Sequence, residues 1–392
     1  MNNQKRDRLI ELCVKLIQTP SVTGKEKDIT DLLSREMKVL GFDEVKIDGI
    51  GNIIGKISGT GGGRKVLFDG HLDTVSIANR NSWTKEPFGA EIEDGKIYGR
   101  GASDMKGALA AMIMAAVSVK ENGGVSGDIY VSGTVFEEVA EGYSLASVIK
   151  LVSPDVVIIG EATELNLNIG QRGRAELLIK TKGVPAHSSN PEIGVNAVYH
   201  MMNLISEITA LPEVSCPHLG KGNLVLTDII SSPYPGASVI PEECIATFDR
   251  RLITGENPES VLQPILDIIE RIKASDSTFK AEATIASMIV ETYTRHSGVH
   301  KRFAPAWLMD RDHEFVKLSL EALRKSGKTQ TEVGTYSFCT NGSCSAGISN
   351  IPTLGFGPSR EDQAHVIDEY ILIDELEQAC DGYVAIAKSL AV

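Results

Sequence analysis

Five places in this chain of 392 residues carry side chains suited to a hard or borderline cation: His71 with Asp73, Asp104, Glu137 with Glu138, Glu161, and His365. Taken one at a time, such residues are more often hydrogen-bonded structural groups. Their joint setting favours a metal. Val66–Phe68 leads into Asp69-Gly70-His71-Leu72-Asp73, Ile129–Phe136 into Glu137-Glu138, and Val156–Ile159 into Gly160-Glu161, while Asp104 lies in the glycine-rich stretch Gly99–Gly107. Buried carboxylates are costly unless paired or metal-bound, and the adjacent Glu137 and Glu138 repel unless a cation offsets them. Zinc accepts imidazole nitrogen and carboxylate oxygen, and a catalytic site keeps one position for water. Two metals about 3.5–4 Å apart need a bridging carboxylate and can share one water. A further carboxylate must move that water's proton to the leaving amine. A ligating histidine needs an acceptor on its other nitrogen, and His71-x-Asp73 offers a close candidate.

Rival chemistries are weaker. Gly99-x-Gly101 opens like a dinucleotide fingerprint, but the third glycine position is Asp104 and no clean strand–turn–helix unit surrounds it. Gly61-Gly62-Gly63 lacks the GK[ST] of a phosphate loop. Cys339 and Cys344 flank a candidate substrate loop without an evident base. His200, His218, His296, His300 and His313 lack a ligand context, and Met112 and Met114 read as helix core.

A net charge of −13 argues against a nucleic-acid partner. The six cysteines form no CxxC pair, which excludes a zinc knuckle or disulfide framework and fits a reducing cytoplasm. The first residues are charged and amphipathic, unlike a signal peptide. No run of about 18 apolar residues predicts a membrane span.

The elements that must position these groups follow from periodicity. Residues 5–19 and 25–40 read as amphipathic helices. The three apolar runs alternate with helix-like Gly107–Val119 and Ser144–Leu151, the pattern of an α/β sheet whose functional groups gather beyond the strand C-termini. The character changes near Arg172. Strand-like 174–181, helix-like 196–211, strands 223–230 and 244–252, helix 258–274 and strand 281–292 give the β-α-β-β-α-β order of a ferredoxin-like unit. The simplest account is a discontinuous domain, 1–172 and 295–392, with 173–294 inserted.

The chain resembles the zinc aminoacylase and carboxypeptidase family, which includes acetylornithine deacetylase, succinyl-diaminopimelate desuccinylase, glutamate carboxypeptidase and peptidase T. The resemblance runs in order through Gly70-His71-Leu72-Asp73, Gly99–Gly107, Glu137-Glu138, Gly160-Glu161 and Ala364-His365. The chain is also similar to a subgroup of selenium-metabolism hydrolases. The resemblance implies an α/β fold: a mixed-sheet, zinc-exopeptidase-like catalytic domain with an inserted ferredoxin-like α+β lid and dimerisation domain. It makes Asp104 the bridge between two divalent ions, zinc first, cobalt or manganese as alternatives. One ion takes His71 and Glu161, the other Glu138 and His365. Glu137 becomes the general base and Asp73 the residue that orients His71. His187, in Gly183–Ser189, reaches the partner's active site in a homodimer formed through 173–294, and Arg251 binds the substrate carboxylate.

Two departures fall where substrate is gripped: Ser238 precedes Val239-Ile240-Pro241 where the family often has Asn, and Cys339-Thr340-Asn341-Gly342-Ser343 replaces a Gly-Gly-Thr-Asp-like loop. Thr340, Asn341 and Gly342 are the corresponding substrate-binding candidates. The implied activity is hydrolysis of an N-acyl or N-carbamoyl amino acid or related small carboxylate. A dipeptidase or carboxypeptidase, and a non-catalytic dimeric metal-binding scaffold, are the alternatives.

Overall fold

The three apolar runs that end in histidine or acidic residues become neighbouring parallel strands. A computed structural model describes residues 3–327 and 330–392. They form two compact units: Met1–Gln171 with Ile289–Gly298 and Trp307–Val392, and Arg172–Met288 with Val299–Ala306. Beyond the inserted segment the chain therefore enters the first unit at Ile289, leaves it at Val299 and returns at Trp307.

The first unit holds a nine-stranded mixed sheet in the order Glu44–Ile47, Ile53–Ile57, Ile129–Thr134, Val66–His71, Val156–Ile159, Thr353–Gly355, Leu167–Gln171, Trp307–Leu308, with Val333–Tyr336 also paired to Leu167–Gln171. Val66–His71 is parallel to both its neighbours, Asp69 lying opposite Ser132 and Ile159. Because the three strands run in step, their C-terminal ends finish at one edge of the sheet. Their side chains alternate between two buried faces. Val66, Phe68, Val156 and Ile158 join the core with helices Asn3–Ile17, Gly107–Glu121 and Ile373–Leu390, while Leu67, Val157 and Ile159 pack with helix Leu145–Val152. Burial on both faces explains why Val66–Phe68 and Val156–Ile159 are apolar throughout rather than alternating.

The segment Ala102–Glu121 is apolar and long enough to cross a membrane, and all of it except Asp104 and the terminal Lys120 and Glu121 is buried, Met112 and Met114 included. Its close approach to the sheet depends on two glycines. A Cβ at Gly70 would meet the Met105 and Met112 methyls at 2.8 and 2.9 Å, and one at Gly160 would meet them at 2.7 and 2.8 Å. The turn that carries Asp104 can thus press against the strand ends.

The second unit is the ferredoxin-like insert. Its strands Leu224–Ser232, Glu243–Leu252, Gly173–Lys182 and Lys280–Ile285 lie in that order, all antiparallel, and the helices Ala197–Thr209 and Pro258–Ser275 share its core. Asn257 and Ser260 form a reciprocal capping box ahead of the second helix. The strand read as 281–292 is interrupted at Ala286, whose N–H donates to Glu176 O and whose carbonyl accepts from Arg302 N, at 2.8 and 2.9 Å. Beyond it Ser287–Glu291 pairs with Ser297–Lys301 in a separate two-stranded sheet, a change of partner that leaves no mark in hydrophobic alternation.

Candidate metal centre

At the common edge of the parallel strands, His71 is the last residue of its strand, Glu137 and Glu138 follow Ile129–Thr134, and Glu161 follows Val156–Ile159. The turn Ala102–Lys106 brings Asp104 to the same place. His71 Nε2 lies 2.9 Å from Asp104 Oδ1 and 3.4 Å from Glu161 Oε1. His365 Nε2 lies 3.0 Å from Asp104 Oδ2 and 2.9 Å from Glu138 Oε2. Asp104 thus turns one oxygen to each histidine, and each histidine shares its space with one glutamate. Donor atoms of His71, Asp104 and Glu138 lie within 4.8 Å of one another, as do those of His71, Glu137 and Glu161.

His71 Nδ1 donates to the main-chain carbonyl of Asp73 at 2.8 Å, whereas the Asp73 carboxylate is 3.7 Å away. The acceptor on the second ring nitrogen is therefore the Asp73 backbone rather than its side chain. In the neutral ring this leaves a lone pair on Nε2, directed at two carboxylates, an arrangement that calls for positive charge. Meanwhile the Asp73 carboxylate, fully buried, accepts from Thr23 Oγ1 at 2.8 Å, Glu137 N at 3.0 Å and Glu138 N at 3.1 Å. It holds the turn that carries both glutamates.

The electrostatics are those of a charge-deficient cluster. Burial lowers the basicity of His71, but Asp104 and Glu161 outweigh it and hold the ring well above the usual histidine range. Hydrogen bonds that His365 donates to Asp104 and Glu138 raise it to about 10. Burial, reinforced by Asp104, lifts Glu161 to about 7. Burial also raises Glu137 well above the carboxylate range. Glu137 is 6% exposed and its Oε1 is buried without a hydrogen-bond partner among the described residues. Imidazole nitrogens, carboxylate oxygens and an orphaned carboxylate oxygen beside them fit divalent zinc, cobalt or manganese.

Thr340, Asn341 and Gly342 turn inward. Asn341 Nδ2 donates to Asp69 Oδ2 and Thr134 Oγ1 at 2.9 and 3.0 Å, and its Oδ1 accepts from Gly142 N at 2.7 Å. Thr340 Oγ1 donates to Gln171 Oε1 at 2.6 Å and accepts from Gly342 N at 3.0 Å. All three residues are buried, and the two side chains spend their polar atoms on the framework of the first unit. His187 and Arg251 belong to the second unit. His187 is exposed, its Nδ1 2.7 Å from Ser189 Oγ. Arg251 lies on strand Glu243–Leu252 and pairs with Asp249 at 3.1 Å.

Sequence reasoning missed two buried carboxylates, Glu26 and Glu369. Glu26 Oε1 accepts from Gly24 N and from Phe136 N, beside Glu137, at 2.8 and 3.2 Å. Glu369 pairs with Arg100 at 2.6 Å and accepts from Ser103 N and Asp104 N at 2.8 and 3.1 Å. Glu26 lies in the charged stretch Lys25-Glu26-Lys27-Asp28, where nothing distinguishes it. Glu369 follows Asp368 and precedes the apolar run Tyr370–Ile373, and that acidic pair beside a strand-like run was the signal that could have found it.

Residues 67–389 match peptidase family M20/M25/M40. The chain is 33% identical over 386 residues to the uncharacterized protein YgeY of Escherichia coli K12, a match covering 95% of this chain and 92% of that one. It is 29% identical over 282 residues to a succinyl-diaminopimelate desuccinylase of Cereibacter sphaeroides, covering 68% of this chain and 73% of that one. Among solved structures, aminopeptidase PepT from Bacillus cereus superposes with a TM-score of 0.77 at 21% identity, covering 99% of each chain. At that identity the likeness speaks for the fold.

Proposed function

The chain belongs to peptidase family M20/M25/M40 and is a metal-dependent hydrolase of that family, and from this we propose that it is a dinuclear amidohydrolase acting on an N-acyl or N-carbamoyl amino acid or a related small carboxylate. The observation that carries the reading is the division of Asp104, one oxygen toward His71 and Glu161, the other toward His365 and Glu138. Divalent ions held by these five residues, zinc first and cobalt or manganese next, would supply Lewis acidity to the scissile carbonyl and acidity to water.

The chain's own residues do the proton work. Glu137 takes the proton of the attacking water as its oxygen bonds to the carbonyl carbon. It then gives that proton to the nitrogen as the C–N bond breaks. A raised proton affinity suits this role, because the same group must hold the proton between the two steps. Asp73 keeps Glu137 aligned through its backbone. In this reading Arg251 clasps the substrate carboxylate, and His187 of a second copy donates to the carbonyl oxygen as it gains negative charge.

A homodimer through 173–294 is supported by the outer strand Leu224–Ser232. It exposes Val225, Ile229 and Ile230, and helix Ala197–Thr209 exposes Tyr199 and Met202. A cytoplasmic setting is supported by six free cysteines.

The test is a hydrolysis screen of chelator-stripped enzyme reloaded with Zn²⁺, Co²⁺ or Mn²⁺, over N-acetyl, N-succinyl and N-carbamoyl amino acids and dipeptides, each as free acid and carboxamide. Turnover of acylated free acids, with a raised KM in Arg251→Lys, is expected. Turnover of dipeptides alone would make the protein a dipeptidase, and bound metal with no turnover anywhere would make it a scaffold.

A further inference from the structure

We propose that Glu369, acting with Arg100, is the positioning residue that sets the His365 half of the metal centre, an assignment that rests on the metal-hydrolase reading. Asp104 and His365 are distant in sequence, and no local element fixes their separation. Glu369 lies four positions after His365 and is fully buried. Its Oε1 accepts the Ser103 and Asp104 N–H groups at 2.8 and 3.1 Å, and its Oε2 takes Arg100 Nη1 at 2.6 Å. Arg100 Nη2 points back at the His365 carbonyl, 3.4 Å away.

The same two segments meet again on either side. The Glu369 carbonyl accepts from Gly99 N at 2.8 Å, and Ser103 Oγ donates to Tyr370 O at 2.8 Å. Strand Tyr370–Leu372 then pairs antiparallel with Lys96–Tyr98. Backbone pairing would by itself hold the two segments together. A buried carboxylate and guanidinium are expensive to desolvate, and their cost is met only if the geometry and the remaining hydrogen bonds are good. Here those bonds end on the backbone of Asp104 and of His365. Glu369 has three donors on its two oxygens, so it is placed to orient the presumed ligands and not to bind a cation itself.

The experiment titrates chelator-stripped protein with Co²⁺, followed by calorimetry and visible absorption, in wild type, His365→Ala, Glu369→Gln and Arg100→Lys. Glu369→Gln is isosteric, and Arg100→Lys keeps the charge while losing the two-pronged contact. Wild type should take up two Co²⁺. Both variants should lose about 10–100-fold in affinity in one binding step only, the step whose absorption band is missing in His365→Ala; disturbing the buried pair also lowers the metal-free melting temperature, and confinement of the affinity loss to one step separates positioning from general loosening. Two unaltered steps in both variants, or equal weakening of the two steps, would overturn the assignment and leave the hydrolase reading intact. Absence of Co²⁺ uptake by wild type would overturn both.

Discussion

Asp73 grips Glu137 through the backbone: one carboxylate oxygen accepts the Glu137 N–H at 3.0 Å, and the other accepts the Glu138 N–H at 3.1 Å. The candidate base is thereby aligned by a carboxylate that never faces the substrate. Asp73→Asn replaces an acceptor with an N–H against these donors. We expect a loss of about 1–3 kcal/mol in stability, the scale for an unsatisfied buried group, read by urea unfolding of the chelated protein. We also expect a lower kcat. In the Glu137→Gln background the same change should cost no further rate, because both act through one proton transfer. Wild-type kcat in Asp73→Asn would show that the turn does not need this carboxylate.

Glu137 itself should be separable from metal binding. Glu137→Ala is expected to keep both cations and to lose about 10²–10⁴-fold or more in kcat, the range for acid–base catalysis. Metal content by mass spectrometry and steady-state rates decide the matter together. A metal-replete variant with near-wild-type kcat would remove Glu137 from the chemistry.

Asp104 and His365 should differ in what their loss does. Asp104 faces both histidines, so Asp104→Ala should empty both cation positions, while His365→Ala should spare the one beside His71 and Glu161. Dialysis against limiting Zn²⁺ followed by metal analysis gives the comparison. Equal metal content in the two variants speaks against a shared carboxylate.

His187 supplies a test of action between subunits. His187→Ala and Glu137→Ala should each be nearly inactive, a donor to the developing oxyanion being worth about 10²–10³ in rate. After subunit exchange at equal mixing, activity should recover toward about a quarter of wild type, since about half the dimers are mixed and each holds one complete site of two. Exchange seen by native mass spectrometry without recovery would show that His187 does not act in trans.

Much of the first unit was legible because burial on both faces writes itself into a strand as a largely apolar run. Val66–Phe68, Ile129–Phe136 and Val156–Ile159 announced three core strands, and the polar residues just beyond them marked the sheet edge where His71, Glu137, Glu138 and Glu161 meet. The insert was equally readable, because Gly173–Lys182 buries every second residue and its helices carry one apolar face. Such patterns report how one element is buried. They are silent on which distant side chain lies opposite.

The sequence by itself therefore determined the principal helices, the three parallel strands, and the histidine and acidic residues just beyond their ends. It did not determine that His71 leans on the Asp73 carbonyl rather than the carboxylate, or that Asn341 turns inward to Asp69 and Thr134 instead of presenting its amide at the surface. Nor did it reveal that Glu369 would join Arg100 under the Asp104 turn. Those outcomes were decided when segments far apart in the chain packed together. A buried polar group must find a partner among whatever close packing brings within about 3 Å, and that choice is encoded in the whole fold and not in any neighbourhood of the chain.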